Sequence, residues 1–373
     1  MIKPKDEIEL AEAIAATNGP LRTTGGGTRP LGNPVDGTVL DMTGLTGVHL
    51  YEPGALTLVV GAGTPLAEID ALLAGENQRL AFEPMDHRGL LGTKGASTIG
   101  GVVAANISGP RRIQSGACRD FLLGVRFVDG TGTILKNGGR VMKNVTGYDL
   151  VKLMAGSFGT LGAISEVSLK VLPVAETQAV VLLEGLEDQT AIAALSSALG
   201  SPFDVTGAAH FAAGLTIIRL EGFNDPVSYR AKALCAALSG FGACQIETDQ
   251  SQASQLWQEV RDLKAFHDVP GDVWRISVKP SDGPEIGGRL RSLGGQVIYD
   301  WGGGLVRALL PEGTDARAHM TGLKGHARIE RAPDSVKQQF GVFGSEGPVI
   351  DQIAAGLRAK FDPRGILNSG LMG

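Results

Sequence analysis

The sequence predicts an α+β protein with two domains: a glycine-rich, ligand-binding first domain, then a second domain whose antiparallel sheet is covered by helices. Three observations carry this expectation. The chain has 373 residues, and domains run to roughly 100–200 residues each. Its 54 glycines are about twice the usual share; they cluster in the first 165 residues with no collagen period. From Glu176 onward the glycine clusters thin out, and strand and helix patterns alternate twice in the same order.

Residues 5–17 read as an amphipathic helix with Ile8, Ala11, Ile14 and Ala15 on one face, ended by Asn18-Gly19. Val39 to Met42 is a short strand. Ala55 to Val60 is a strand leading through a glycine turn into a helix, with Thr64 as N-cap and Pro65 at the first helical position. Gly61-Ala62-Gly63 is not a dinucleotide fingerprint, because the third glycine of that motif would fall on Leu66. Val125–Val128 and Thr133–Leu135 form a hairpin around Asp129-Gly130. Leu150–Ala155 is a short helix ended by Gly156, and 163–172 alternates as a half-buried strand that Pro173 closes.

Two stretches stand out for chemistry. Thr23-Thr24-Gly25-Gly26-Gly27-Thr28-Arg29 offers a backbone free to take positive φ and N–H groups able to converge on an anion. It reads equally as a diphosphate cradle and as a tight surface loop. Gly95 to Pro110 is again small and hydroxyl-bearing, yet carries Ile99, Val102 and Val103 to anchor it in a core. Two such loops about seventy residues apart suggest one long ligand between them.

The second half reads as strand 178–184, helix 188–199, strands 203–210 and 214–221, helix 225–239 and strand 243–247. A helix at 250–266 follows. Strand 272–279, helix 283–293, strands 296–300 and 304–310, helix 313–323 and strand 326–330 then repeat the order. Each half is a split βαβ arrangement, and the natural assembly is one antiparallel sheet with helices on one face. Helix 348–360 and an irregular tail complete the chain.

Composition excludes several functions. A net charge of −5 disfavours nucleic acid and acidic membrane surfaces. No apolar run approaches ~18 residues, and Met1 to Glu7 turns acidic where a signal peptide needs its apolar region. A cytoplasmic protein is expected. Cys118, Cys235 and Cys244 are too scattered for a disulfide framework, a zinc site or an iron–sulfur cluster held by this chain, so no metal is expected.

The motifs together resemble the FAD-linked oxidase family with the vanillyl-alcohol-oxidase, or PCMH-type, fold. They are Thr24 to Thr28, Pro84, Thr98-Ile99-Gly100-Gly101, Ser108-Gly109, Gly116 to Asp120, Gly147-Tyr148-Asp149-Leu150, Gly159 to Ile164, and Phe361 to Asn368, in that order. Within the family, Ser108 to Arg112, Val141 to Leu150, Val273 to Ser277 and Asp300 to Gly304 look like the FAD-binding subunits of bacterial glycolate oxidase.

The resemblance implies a PCMH-type FAD-binding domain of two α/β subdomains over 1–173, a cap domain of ferredoxin-like repeats over 174–332, and a C-terminal segment, 333–373, returning to the first domain. It implies that Thr24, Gly25, Gly26, Gly27 and Thr28 hold the FAD diphosphate. Pro84, Gly116 and Asp120 belong to the same cofactor set. Thr98, Gly101, Ser108 and Gly109 would line the ribityl and ring portion, Ile164 would lie near the adenine, and Asn368 near the flavin ring. It further implies two partners, a catalytic flavoprotein subunit and an iron–sulfur subunit, with any contact to the inner membrane made through that complex. The substrate would be a small 2-hydroxy acid, glycolate, oxidised to glyoxylate.

Two departures matter. The first loop ends in Thr28 where covalent-flavin members often carry His or Cys, so FAD is expected to be non-covalent; Cys118 and His87 are the nearby alternatives. The Gly-Asp-Gly-Asn stretch flanked by histidines, which catalytic subunits of related dehydrogenases carry in the cap, is absent. Arg275 and Arg307 are the residues able to take a substrate carboxylate bidentately, against the alternative that both are salt-bridged cap residues. The functional expectations are therefore an accessory FAD subunit of glycolate oxidase, a self-sufficient FAD-dependent 2-hydroxy-acid dehydrogenase, or a non-catalytic assembly subunit.

Overall fold

A computed structural model describes residues 1–141, 147–211 and 213–373. The motif positions 142–146 lie outside the described residues. The chain divides into two compact units. Unit 1 is Met1–Ser108, Ala117–Val174 and Ser345–Gly373; unit 2 is Gly109–Gly116 and Ala175–Gly344.

Unit 1 starts with the helix Glu7–Ala16, capped by Asp6, whose carboxylate accepts from the N–H groups of Ile8 and Glu9. Strands β1 (Leu21–Thr24) and β2 (Thr38–Asp41) pair in parallel. Strands β3 (Val48–Glu52), β4 (Thr57–Gly61), β6 (Leu122–Val128), β7 (Ile134–Gly138) and β8 (Ala163–Lys170) form an antiparallel sheet in the order β3-β4-β8-β6-β7. The short strands β5 (Gln78–Arg79) and β9 (Leu172–Pro173) pair separately.

The helix after β4 begins one position later than the sequence suggests, at Leu66, with Pro65 as its N-cap. Thr64 does other work: its hydroxyl accepts the Gly47 N–H at 3.0 Å. Gly61 and Gly63 are there for packing, since a Cβ on either would stand 2.3 Å from the carbonyl oxygen of Leu45 or Met42.

The C-terminal tail is built into unit 1. Leu21 donates its N–H to the Ile366 carbonyl at 2.7 Å, and Asn368 returns an N–H to Leu21 at 2.9 Å. Ile366 and Leu367 join Leu10, Ile14, Leu21 and Leu40 in one buried cluster. Arg364 donates to the carbonyls of Ile14 and Thr17, placing a cation where the first helix ends and its dipole is negative.

Unit 2 is one eight-stranded antiparallel sheet. Its strands are β10 (Thr177–Leu183), β11 (Val205–Phe211), β12 (Thr216–Gly222), β13 (Cys244–Glu247), β14 (Asp272–Val278), β15 (Gln296–Asp300), β16 (Leu305–Leu310) and β17 (Gly325–Arg331). The order β13-β10-β12-β11-β15-β16-β14-β17 is two copies of one 4-1-3-2 pattern joined through their second strands. The repeat seen in the sequence is thus a repeat in space.

Two details differ from the sequence reading. The helices are not all on one face. Asp188–Leu199, Asn224–Leu238 and Gly283–Arg291 pack on the main core, whereas Gln250–Asp262 packs Ala253, Trp257 and Val260 against Val180, Ala209 and Ile217, whose side chains point the other way. And 313–323 is no α-helix but the single 3₁₀ turn Ala316–His319. Arg317 spends its guanidinium on the carbonyls of Ala327, Phe340, Gly341 and Val342, tying the turn to a neighbouring segment, and Gly313 and Gly322 flank it at positive φ.

Candidate functional site: two packed glycine-rich loops and an arginine row

In unit 1 the two glycine-rich stretches are in direct contact. Strand β1 ends at Thr24 and the triple-glycine loop follows. A Cβ on Gly26 would lie 1.7 Å from the Ala96 carbonyl oxygen, and one on Gly25 would lie 2.3 Å from Thr98 Oγ1. These two glycines therefore permit loop-on-loop packing. Gly27 differs: it has φ +68° and nothing within 4 Å of its missing Cβ. It is the member of the triplet whose backbone is both left-handed and open. Thr28 is buried, and its carbonyl accepts the Thr93 hydroxyl at 2.9 Å.

Arg29 ties three segments together. Its Nε–H donates to His87 Nδ1 at 3.1 Å, and its Nη2 donates to Ser97 Oγ. The His87 nitrogen also lies 3.2 Å from the Met85 carbonyl. A guanidinium can only donate, so Nδ1 is the acceptor in its contact with Arg29. Burial lowers the Arg29 pKa to about 10, with Asp86 opposing, so the side chain stays cationic at neutral pH. Among the described residues its hydrogen bonds go to neutral partners. Its Nη1 stands 3.5 Å from the Cβ position of Gly101, where Thr98 Oγ1 stands at 3.3 Å. The guanidinium and the hydroxyl meet at Gly101, and the open left-handed Gly27 lies two residues before Arg29 in the same loop; donors of these kinds suit an anionic diphosphate group.

The other expected cofactor residues fall as follows. Pro84 follows Glu83, which takes φ +52°. Ser108 accepts the Cys118 N–H at 2.9 Å. Asp120 accepts the Ala117 N–H at 2.9 Å and closes a short turn. Ile164 lies in β8 opposite Phe127 of β6. Asn368 accepts from the Thr23 N–H and donates to the Phe158 carbonyl, each at 2.8 Å; its amide locks the tail beside the glycine loop. Thr24 to Thr28, Pro84, Thr98, Gly101, Ser108, Asp120, Ile164 and Asn368 thus share unit 1, whereas Gly109 and Gly116 belong to unit 2. Sequence reasoning places Arg29 in the glycine-loop stretch, names His87 only as an alternative covalent link and gives Ser97 no role. The available signal was the arginine two residues after the triplet.

Unit 2 carries a different cluster. Arg275 on β14 is paired in register with Arg307 on β16 and with Arg328 on β17. Its sequence neighbours Trp274 and Ile276 point into the main core, so the three arginines share the opposite face. Glu330 is buried and pairs with Arg307, and more distantly with Arg328 at 3.5 Å. Arg275 has no such partner among the described residues. It lies over the Trp301 ring at 5.1 Å, and Arg112 lies over the same ring at 4.4 Å. Burial, together with Arg328 and Arg307, holds the Arg275 guanidinium well below its ordinary pKa. Trp301 is held at φ +52°, and its indole N–H donates to the Gly109 carbonyl at 3.1 Å. Of the two carboxylate candidates, Arg307 is therefore ion-paired and Arg275 is not. Arg328 and Glu330 escaped sequence reasoning because their meeting depends on strand register, whereas Arg112 and Trp301 lay in stretches quoted for the resemblance but were given no site role.

Among the described residues no group of three or more His, Cys, Asp or Glu could hold a metal ion, and no helix is long and apolar enough to cross a membrane.

Comparison with known proteins shows the family. Residues 1–138 match the FAD binding domain family. The chain is 36% identical over 345 residues to the glycolate oxidase subunit GlcE of Escherichia coli (strain K12), covering 92% of this chain and 89% of that protein. It is 31% identical to the glycolate oxidase subunit GlcD of Bacillus subtilis (strain 168), over 49% of this chain and 38% of that one. The D-lactate dehydrogenase of Archaeoglobus fulgidus is 30% identical over 46% of this chain and 38% of its own length. In fold the chain is similar to an alkyldihydroxyacetonephosphate synthase, with TM-score 0.66 at 18% identity over 98% of this chain and 76% of that one. The chain belongs to the PCMH-type family of FAD-linked oxidoreductases, as an FAD-dependent member of the branch that includes the glycolate oxidase subunit GlcE.

Proposed function

We propose that this chain is the FAD-binding subunit of a glycolate-oxidising complex, working with a catalytic flavoprotein subunit and an iron–sulfur subunit that takes the electrons onward. The observation that carries this reading is the extent of the likeness to GlcE, which spans 92% of the chain and so includes both units. The likeness to GlcD and to the lactate dehydrogenase covers about half. Bound FAD would supply hydride acceptance from the hydroxyl-bearing carbon. The chain's own contribution in unit 1 is to hold and orient the cofactor: Gly27 lends open backbone, Thr98 a hydroxyl, Arg29 a cation. Any association with the inner membrane is made through the partners.

A self-sufficient 2-hydroxy-acid dehydrogenase is the second reading. What favours it is Arg275, a cation with no carboxylate partner among the described residues. What opposes it is the lack of the paired histidines that would remove the hydroxyl proton, a contribution of ~10²–10⁴-fold when a base is well placed. The deciding experiment is anaerobic stopped-flow mixing of the isolated, FAD-loaded chain with glycolate. Slow or absent flavin bleaching, restored to rapid turnover with an artificial acceptor when both partner subunits are added, supports the accessory subunit. Bleaching by the chain alone at the rate of the complex overturns it in favour of the dehydrogenase.

A further inference from the structure

We propose that Cys235 and Cys244 form a redox-active dithiol in unit 2, which a peroxide oxidises to a disulfide that fastens the helix Asn224–Leu238 to the edge strand β13. Both are free thiols that stand apart in the sequence, and the fold brings them together.

Placement is the first argument. In the helix Asn224–Leu238 the buried residues are Val227, Ala231, Leu234 and Leu238. Cys235 stands four residues after Ala231 and three before Leu238, so it shares the face turned to the sheet. Cys244 opens β13 and lies opposite Leu183 of β10. It points to the same side of the sheet as Ile246, and Cys235, Cys244 and Ile246 all pack against the main core of unit 2. The two thiols are in hydrogen-bond contact. An S–H group is a weak donor and a weak acceptor, so the contact adds little that an apolar pair would not. What it does supply is two sulfurs within reach of each other, joined by a turn at 239–243 that carries Gly240 and Gly242.

Access is the second. Cys235 and Cys244 are half-buried, so a molecule as small as hydrogen peroxide can reach them, whereas Cys118 is fully buried. Burial and the shared contact disfavour the thiolate at Cys244, which makes Cys235 the thiol that meets the oxidant. Peroxide transfers one oxygen to the Cys235 sulfur, giving a sulfenic acid and one water. The Cys244 sulfur then attacks that sulfur, its proton leaves with the hydroxyl as a second water, and the S–S bond forms. Two thiols have lost two electrons, and the O–O bond has been reduced to two waters. A small dithiol reverses the step and is itself oxidised to a disulfide.

The bond falls at a weak place. β13 has four residues and stands at the end of the sheet beside β10. The chain then passes to the helix Gln250–Asp262 on the other face. Short edge strands open readily, so a cross-link here holds the crossing from one face to the other closed.

The test uses the full FAD-loaded chain. It is treated with hydrogen peroxide, its remaining thiols are alkylated under denaturing conditions, and its digest is mapped by mass spectrometry. An intramolecular Cys235–Cys244 disulfide is expected. Free thiols should fall from three to one, with Cys118 the one left, and dithiothreitol should restore all three. Amide hydrogen exchange over Cys244–Glu247 should be about tenfold or more slower in the oxidised chain than in the reduced one. In Cys244→Ser, dimedone should trap Cys235 as its sulfenic acid, and peroxide should leave the exchange unchanged. A disulfide that joins two chains or includes Cys118 overturns the proposal. So does over-oxidation of Cys235 or Cys244 without a cross-link, or three surviving thiols under conditions that fully oxidise a cysteine-containing reference peptide. Equal exchange over β13 in the oxidised and reduced parent also overturns it, and this comparison holds even if Cys244→Ser does not fold.

Discussion

The Nε–H of Arg29 donates to Nδ1 of His87 across 3.1 Å, and this bond joins the triple-glycine loop to the segment around Pro84. The arginine also reaches Ser97, so one side chain unites three stretches separated in sequence. It is cationic at neutral pH even with its pKa lowered to about 10 by burial. Arg29→Gln should weaken FAD binding about ten- to hundred-fold. Arg29→Lys should weaken it less, because the charge survives although the fork geometry is lost. Flavin fluorescence on serial dilution measures both, and equal FAD affinity in Arg29→Gln and the parent would refute this role.

Gly26 and Gly27 should respond differently to substitution. Gly26→Val would drive a side chain into the Ala96 carbonyl, 1.7 Å from the ideal Cβ, so the two loops must separate and FAD content should fall sharply. The obstacle is this carbonyl rather than a positive φ. Gly27→Ala meets open space and costs only the left-handed backbone, about 1–2 kcal/mol. The ratio of flavin to protein absorbance in the two purified variants is the check, and full flavin retention by Gly26→Val would show that loop contact does not matter.

FAD should be bound without a covalent link. Cys118 is fully buried and its thiol is pushed up by that burial, which disfavours the reactive thiolate. The Nδ1 of His87 is occupied by Arg29. Acid precipitation should therefore leave yellow FAD in the supernatant. A yellow pellet would contradict the expectation.

His210 should make stability sensitive to mild acid. It is buried in unit 2, with Nδ1 2.9 Å from the Thr216 hydroxyl, and desolvation lowers its pKa to about 4. Asp188, 3.4 Å away, does not reverse this, being already engaged with Tyr299 and Arg291. The unfolded chain binds the proton with the ordinary pKa near 6.5. Between about 6.5 and 4 the unfolded state thus holds more protons, and stability falls as pH falls through that window, by on the order of 2–3 kcal/mol in total. Urea melts of the parent and of His210→Gln at pH 7 and pH 5 measure it. The parent should lose more stability than the variant, and equal losses would show that His210 does not titrate on unfolding.

Much of the fold was readable because its signals are local. The helix Asp188–Leu199 and the strand Gln296–Asp300 lie where hydrophobic period and turn residues place them. The failures share one cause, which is that tertiary partners outweigh local preference. The stretch 313–323 has a helical look, but Arg317 gives its donors to distant carbonyls. Thr64 looks like an N-cap, but its hydroxyl accepts from Gly47. The helix Gln250–Asp262 was expected on the same face as the others, yet Trp257 packs on the reverse of the sheet, and nothing in its own periodicity says which side it will cover.

The sequence by itself determined the family, the cofactor class and the doubled strand–helix order. Glycine triplets, turn residues and apolar periods act over a few residues, and their order along the chain survives without knowledge of contacts. Tertiary structure decided which groups meet. Register between β14, β16 and β17 brings Arg275 beside Arg307 and Arg328, and a one-residue slip would send those side chains to the other face. Loop packing decided that Gly25 and Gly26 face protein while Gly27 stays open. A glycine or an arginine is the same letter in either setting; the chemistry available to it comes from what surrounds it, and only the folded chain supplies that.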